Sequence, residues 1–201
     1  MAPLNRGLAL LESAVSYALA DTVLITPQLL SRPTPCQGWD LGALLDHLCD
    51  SIAVLREAMD GAGVGAGAPA GHPGPGYDPA GRLRGQAAGL LAGYAAAGPP
   101  GRPVDIGDRQ LTVGMVAVTG AIEITVHGWD ISVACGARRP VPPVLAAVLL
   151  PVATVLITPR TRPGLFADPV QLPAPACIGD QLVAFTGRQP RPETAPGPGR
   201  A

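Results

Sequence analysis

The sequence AIEITVHGWD, residues 121–130, places a carboxylate and an imidazole four residues apart in an otherwise apolar stretch. The helical apolar pattern extends over residues 112–135 and covers nearly every side, which predicts a buried helix that ends before Gly136. On such a helix Glu123 and His127 share one face, one above the other. The sequence therefore predicts a helical core that contains polar side chains.

These polar side chains are candidate metal ligands. A buried carboxylate without a partner costs on the order of several kcal/mol, so Glu123 is expected to be paired, protonated or bound to a cation. His47 lies on a second amphipathic helix, residues 41–59, beside its inward apolar stripe. With His127 it would complete a set of three ligands and leave a fourth position open, as in catalytic zinc sites. A hydrogen-bonded Glu–His pair, or a half-exposed polar face, is the alternative, and spacing alone does not show that the two histidines meet.

The same periodicity predicts the rest of the architecture. No alternating stretch is long enough to predict a sheet, although residues 98–113 predict a turn with a short extended stretch. The Gly/Pro-rich residues 61–79, which include an exposed His72, predict a loop. We therefore expect an all-α four-helix bundle over residues 1–140, a short C-terminal helical extension packed on it over 141–190, and a disordered tail over 191–201. The further helices are expected at residues 5–30, 80–97 and 141–158, with a short final helix within 177–190 that is stopped by Gly187 and Pro190.

The composition favours a single cytoplasmic domain. The 201 residues are enough for one full core, the net charge is -1, and the basic residues are scattered arginines, so no nucleic-acid-binding face is expected. The four cysteines form no CxxC pair and no signal-peptide pattern precedes them, which favours free thiols in a reducing compartment. The uncharged residues 141–158 are just long enough to span a membrane, but their three prolines favour a buried helix or a homodimer interface.

Three charged residues are candidates for roles beside the metal. Asp130 follows on the same helix and is the candidate catalytic or orienting residue, with an ion pair to Arg138 or Arg139 as the alternative. Arg82 and Arg84 are candidates for binding a carboxylate of the cofactor or substrate, with a solvated helix face as the alternative.

Cysteine and tryptophan side chains also lie near these motifs. Cys49 is two residues after His47, which turns it away around the helix, so it is not expected to be a ligand. Cys36 precedes that helix in a loop bounded by prolines and remains a candidate ligand. Trp39 and Trp129 each stand in a GWD triplet, where packing at a helix end is the preferred interpretation.

Several stretches together resemble a known family. They are PTPCQGWDLGALLDHL at 33–48, EITVHGWDISVACG at 123–136, and LFADPV followed by DQLVAFTGRQP within 165–190. The chain resembles proteins similar to the N-terminal domain of mycothiol-dependent maleylpyruvate isomerase, in the DinB/YfiT-like superfamily. This resemblance implies an up-down-down-up bundle that binds a divalent metal, usually zinc. It also implies the ligands His47, Glu123 and His127.

The resemblance extends to function. Relatives use the metal to activate the thiol of mycothiol or bacillithiol, so we expect a zinc-dependent thiol S-transferase or isomerase in actinobacterial specialised metabolism, with mycothiol as cosubstrate. Residues 141–201 are too few for the isomerase's large second domain, so maleylpyruvate is not expected as the substrate. Two alternatives stay open: a non-catalytic small-molecule-binding or resistance protein with a structural metal, and a non-haem Fe(II) oxygenase, which also uses two histidines and a carboxylate.

Overall fold

The computed structural model describes residues 3–60, 77–106 and 109–190, with side chains from Arg6 onward. These ranges are mostly helical, and they also contain one small hairpin. The predicted His72 and the predicted tail at 191–201 lie outside the described residues. The helices are α1 (Pro3–Leu19), α2 (Leu41–Asp60), α3 (Pro79–Ala96), α4 (Val113–Ala134), α5 (Pro143–Leu156) and α6 (Ile178–Phe185).

The first helix is shorter than the periodicity predicts. It ends at Leu19 rather than near residue 30, and two short 3₁₀ turns follow it, Thr22–Leu24 and Pro27–Leu29. The hydroxyl of Thr22 donates to the carbonyl of Leu19 at 2.7 Å, which satisfies an acceptor at the helix end. Pro27 has no backbone N–H with which to continue a helix.

A small sheet corrects the expectation of an all-helical chain. Strands β1 (Pro103–Ile106) and β2 (Arg109–Thr112) form an antiparallel pair in which Val104 lies opposite Leu111. Each strand has four residues. Both strands lie in the short extended stretch expected within 98–113, but strands this short give too few alternations to predict a sheet.

Helix α4 is buried along nearly its whole length, as predicted. Thr112 caps its start, since the hydroxyl accepts from the backbone N–H of Met115 at 3.2 Å. Gly136 follows its end with a φ of 82°, a left-handed conformation that favours glycine. Gly128 brings α4 against α1, because a Cβ at this position would lie 2.8 Å from the Cα of Ala18.

Helices α1, α2 and α5 pack directly on α4, and α3 and α6 pack on these. Helix α1 packs mainly on α4, α2 packs on α3 and α4, and α5 packs on α6. The last two helices add Leu149 and Leu182 to the same hydrophobic core. The core is therefore shared between residues 1–140 and the extension that follows them.

Two apolar helical surfaces are relevant to the predictions about a membrane-spanning helix and a homodimer interface. Within the described ranges, Arg6–Leu24 is long and apolar enough to cross a membrane, a test that the core helix of a soluble protein also passes. Part of its surface, including Leu11 and Ala14, is buried in the core. Helix α5 leaves Val144 and Val155 exposed. The expectation that it forms a dimer interface stays a prediction.

Candidate metal centre

The candidate ligands come from two helices that lie side by side. Asp40 caps α2 by accepting from the backbone N–H of Ala43 at 2.8 Å, and His47 lies two turns further on. Glu123 and His127 lie one turn apart on α4. The packing of α2 on α4 brings one ligand atom from each of the three side chains within 4.8 Å of the others.

Both imidazoles face the same carboxylate oxygen. His47 Nε2 lies 3.0 Å and His127 Nε2 lies 3.4 Å from Glu123 Oε1. The two rings are nearly perpendicular, with centroids 5.2 Å apart. Their exposure differs, since 38% of the His47 side chain is exposed and 8% of that of His127. The site is thus buried on the α4 side and open on the α2 side.

These spacings fit a small divalent cation. In a tetrahedral zinc site with bonds of about 2.0–2.1 Å, neighbouring ligand atoms are about 3.3 Å apart. The two nitrogen–oxygen distances of 3.0 and 3.4 Å bracket that value. Two imidazoles and one carboxylate leave a coordination position for water or substrate, so the set can hold a catalytic metal.

The acid and the buried imidazole shift each other's protonation. Burial alone would raise the pKa of Glu123, but hydrogen bonds from His127 and His47 outweigh it and hold that pKa well below its usual range. Burial alone would lower the pKa of His127, but hydrogen bonds to Asp130 and Glu123 raise it to about 9. Without a metal, the cluster at neutral pH is therefore an ionised acid beside a protonated His127.

Asp130 lies behind His127 and is held by an arginine from the extension. Its Oδ2 is 3.1 Å from His127 Nδ1, so the other ring nitrogen is left to face Glu123. Arg188 donates to both carboxylate oxygens of Asp130, at 3.3 and 2.8 Å. The sequence-based alternative of a pair with Arg138 or Arg139 is wrong, because Asp130 pairs with Arg188 and Arg139 pairs with Asp21.

The loop before α2 covers the imidazoles. Trp39 meets His47 edge to face with centroids 4.3 Å apart, and it lies nearly parallel to His127 at 6.3 Å. The Thr34 hydroxyl stabilises the loop by donating to the carbonyl of Trp39 at 3.0 Å. The interpretation of Trp39 as a helix-end packing residue missed this contact with the site.

A second group of potential ligands shares one histidine with the first. Cys36, His127 and Asp130 also offer atoms within 4.8 Å of one another. Burial raises the pKa of the Cys36 thiol, although Arg188 opposes the shift, and the same arginine already neutralises Asp130. This group therefore suits a cation less well than the first. Neither group in the described residues includes Cys49, which is buried as a free thiol, as the helix geometry predicts.

The predicted anion-binding arginines are engaged by acids of the protein itself. Arg82 pairs with Asp46 at 3.1 Å and with Asp50 at 2.5 Å. Arg84 lies 3.7 Å from Asp78. Their role in binding a carboxylate stays a prediction, and these ion pairs do not favour it.

Sequence reasoning missed two further residues of the site. Ser51 donates to Glu123 Oε1 at 3.2 Å, and its position one turn after His47 could have revealed it. Arg188 is separated from Asp130 by 58 residues, and no local pattern connects the two.

Comparison with known proteins identifies the family of the chain. The family model of the mycothiol maleylpyruvate isomerase N-terminal domain matches residues 13–132, which is more than half of the chain. The chain belongs to this family. The matched range of the mycothiol maleylpyruvate isomerase N-terminal domain contains all three candidate ligands and Asp130, whereas Arg188 lies beyond it.

Two curated relatives extend the similarity. Uncharacterized protein MT0763 of Mycobacterium tuberculosis strain CDC 1551 / Oshkosh is 30% identical over 171 residues, which are 81% of this chain and 86% of the relative. Uncharacterized protein Rv0738 of strain H37Rv matches with the same identity and coverage. No solved structure matches.

Proposed function

We propose that this chain is a metal-dependent enzyme of the thiol S-transferase or isomerase type, with Zn²⁺ held by His47, Glu123 and His127. The observation that carries the proposal is the convergence of two imidazole nitrogens, from separate helices, on one carboxylate oxygen at 3.0 and 3.4 Å. Helices α1 to α4 would form the up-down-down-up bundle that the family resemblance implies.

Zinc bound at these ligands would lower the pKa of a coordinated thiol and so supply a thiolate nucleophile at neutral pH. The chain's own residues prepare the site for it. Asp130 accepts a hydrogen bond from His127 Nδ1, which fixes the ring and leaves Nε2 as the ligand atom. Trp39 packs against both imidazole rings from the loop before α2.

The thiol is proposed from family membership. The family is described by an isomerase that uses mycothiol, and an open coordination position suits a sulfur ligand. Mycothiol is therefore the first cosubstrate to test. The electrophile that receives the sulfur, or is isomerised by it, is a small molecule.

The test measures sulfur transfer by the full-length protein loaded with zinc. Mycothiol and 1-chloro-2,4-dinitrobenzene would be supplied, and the thioether product would be followed by its absorbance. We expect a rate above the uncatalysed background that is lost on chelation and in His127→Ala. Transfer at the background rate by zinc-loaded protein, across this and a panel of carbonyl electrophiles, would contradict the proposal.

Two results would point to the alternatives. Stoichiometric binding of mycothiol without product would favour a non-catalytic binding protein. Iron rather than zinc in protein purified without added metal would favour the oxygenase, since the same ligand set serves Fe(II).

A further inference from the structure

A cavity opens beside the candidate metal ligands, between α2 and α4. Its volume is about 360 Å³, within the size range of small-molecule pockets. His47 and Glu123 form part of its wall, so a molecule that coordinates the metal would extend into this space. The remaining lining residues are Asp50, Ser51, Val54, Leu55, Thr119 and Gly120.

Most of the wall beyond the ligands is apolar. Val54 and Leu55 line the α2 side. Gly120 presents no side chain from α4, and a Cβ there would lie 2.8 Å from a methyl group of Leu55. Leu55 therefore packs directly on the backbone of α4 and, with Val54, makes this part of the wall apolar.

The charge in the wall is negative. Asp50 is the acidic lining residue outside the metal ligands, and 40% of its side chain is exposed. Arg82 pairs with it but also with Asp46, so the three side chains together carry one net negative charge. The described lining contains no arginine.

We infer that this cavity holds the arm of a thiol that carries no carboxylate, and that Asp50 is the residue that disfavours an anionic group there. A carboxylate in this position would face Asp50 without a free cation to balance it, and removal from water would strengthen the repulsion. An ammonium group would gain the opposite interaction. The inference rests on the proposed function, because it assumes that the sulfur coordinates the metal.

The test uses the full-length protein with Co²⁺ in place of zinc, because thiolate coordination then produces a charge-transfer absorption. Affinities would be measured for cysteamine, which is cationic, and for 3-mercaptopropionate, which is anionic and of similar length. The two thiols differ in intrinsic acidity, so the quantity compared between proteins is the ratio of the two affinities.

We expect Asp50→Asn to shift that ratio toward 3-mercaptopropionate by about tenfold, the size of one partly screened charge contact. Glu12→Gln is the matched control, since it removes the same charge from an exposed position on α1 and should leave the ratio unchanged. The wild-type affinity for 3-mercapto-1-propanol, a neutral thiol, should lie between the other two after correction for thiol acidity.

Two failures are distinguishable. If both thiols give the charge-transfer band but Asp50→Asn leaves their ratio at the wild-type value, the substrate class is wrong and the metal–thiol site stands. If the cobalt-loaded protein gives no such band with any of the three thiols, the proposed function fails and the inference falls with it.

Discussion

The three candidate ligands occupy different environments. His127 is almost fully buried and contacts acids on both ring nitrogens, whereas His47 is partly exposed at the cavity wall. Glu123 lies between them and meets both. At the scale of single residues, His127 is therefore fixed in place before a metal arrives, and His47 completes the site from the second helix.

Replacing either histidine tests the ligand assignment. His47→Ala and His127→Ala should each lower zinc affinity by more than about 100-fold, because each removes a ligand rather than a supporting contact. Circular dichroism should show that the helical content is largely kept. Cys36→Ala is the informative control, since it removes a ligand of the second group only. Retention of zinc in both histidine variants, or its loss in Cys36→Ala, would contradict the assignment.

Zinc affinity should depend on pH through His127. The pKa of this imidazole is raised from 6.5 to about 9 in the metal-free site, so zinc must displace a proton at neutral pH. We expect zinc affinity, measured by competition with a chromophoric chelator, to increase from pH 7 to pH 9. An affinity that is constant over this range, after correction for the chelator, would show that His127 is neutral in the metal-free protein.

The raised pKa of His127 makes the stability of the metal-free protein fall with increasing pH, whereas zinc affinity rises. A raised pKa means that the folded state binds the proton more tightly, which stabilises the fold fully below pH 6.5. This contribution is lost as the pH rises through about 9. The free energy of unfolding of the metal-free protein, measured with a chemical denaturant, should be lower at pH 10 than at pH 7. The difference between the two pH values should be smaller in His127→Ala.

At the scale of secondary-structure elements, the close approach of α1 and α4 sets the position of the ligand helix. Gly128, the residue after His127, lies against Ala18 of α1 without room for a side chain. The packing of these two helices therefore reaches the metal site directly.

Gly128→Ala should destabilise the protein by about 1–3 kcal/mol, because the added methyl group meets backbone and forces the helices apart. Gly85→Ala on α3 is the matched control, since a Cβ there meets no atom within 4 Å. That control should be neutral, or stabilising by up to about 1 kcal/mol, because alanine favours a helix over glycine. Equal effects of the two substitutions in urea unfolding would show that α1 and α4 are not in close contact.

At the scale of the whole molecule, the C-terminal extension completes the site. Arg188 follows α6, lies outside the range matched by the family, and reaches a fully buried carboxylate on α4. The extension also contributes Leu149 and Leu182 to the shared core. The candidate metal centre thus includes a supporting residue that lies beyond the range matched by the family model.

Arg188→Met should cost about 3–5 kcal/mol, because it leaves Asp130 buried without its cation. Adding Asp130→Asn should recover part of this loss by removing the unpaired charge. Arg160→Met, at an exposed position, is the control for loss of an arginine as such. If denaturant unfolding shows that Arg188→Met and Arg160→Met change the free energy of unfolding equally, a structural role for the ion pair is contradicted.

The sequence by itself determined the features that depend on spacing along one helix. A period of 3.6 residues places Glu123 and His127 on one face and turns Cys49 away from His47. The buried character of α4 followed from apolar residues on all its sides, and the family could be recognised from ordered motifs. The prediction that the first helix continues to about residue 30 was wrong, because α1 ends at Leu19, whose carbonyl accepts from the Thr22 hydroxyl. Local periodicity does not show such a contact between a side chain and the end of a helix.

Only the tertiary structure decided which distant side chains meet. Three contacts of the site join separate segments, and no periodicity relates their positions. They are Trp39 against the imidazoles, Cys36 beside Asp130, and Arg188 paired with Asp130. The cavity and its negative wall likewise exist only once α2 lies against α4. The physical reason is that helix geometry fixes the direction of a side chain around its own axis, whereas its neighbours depend on how complete helices pack.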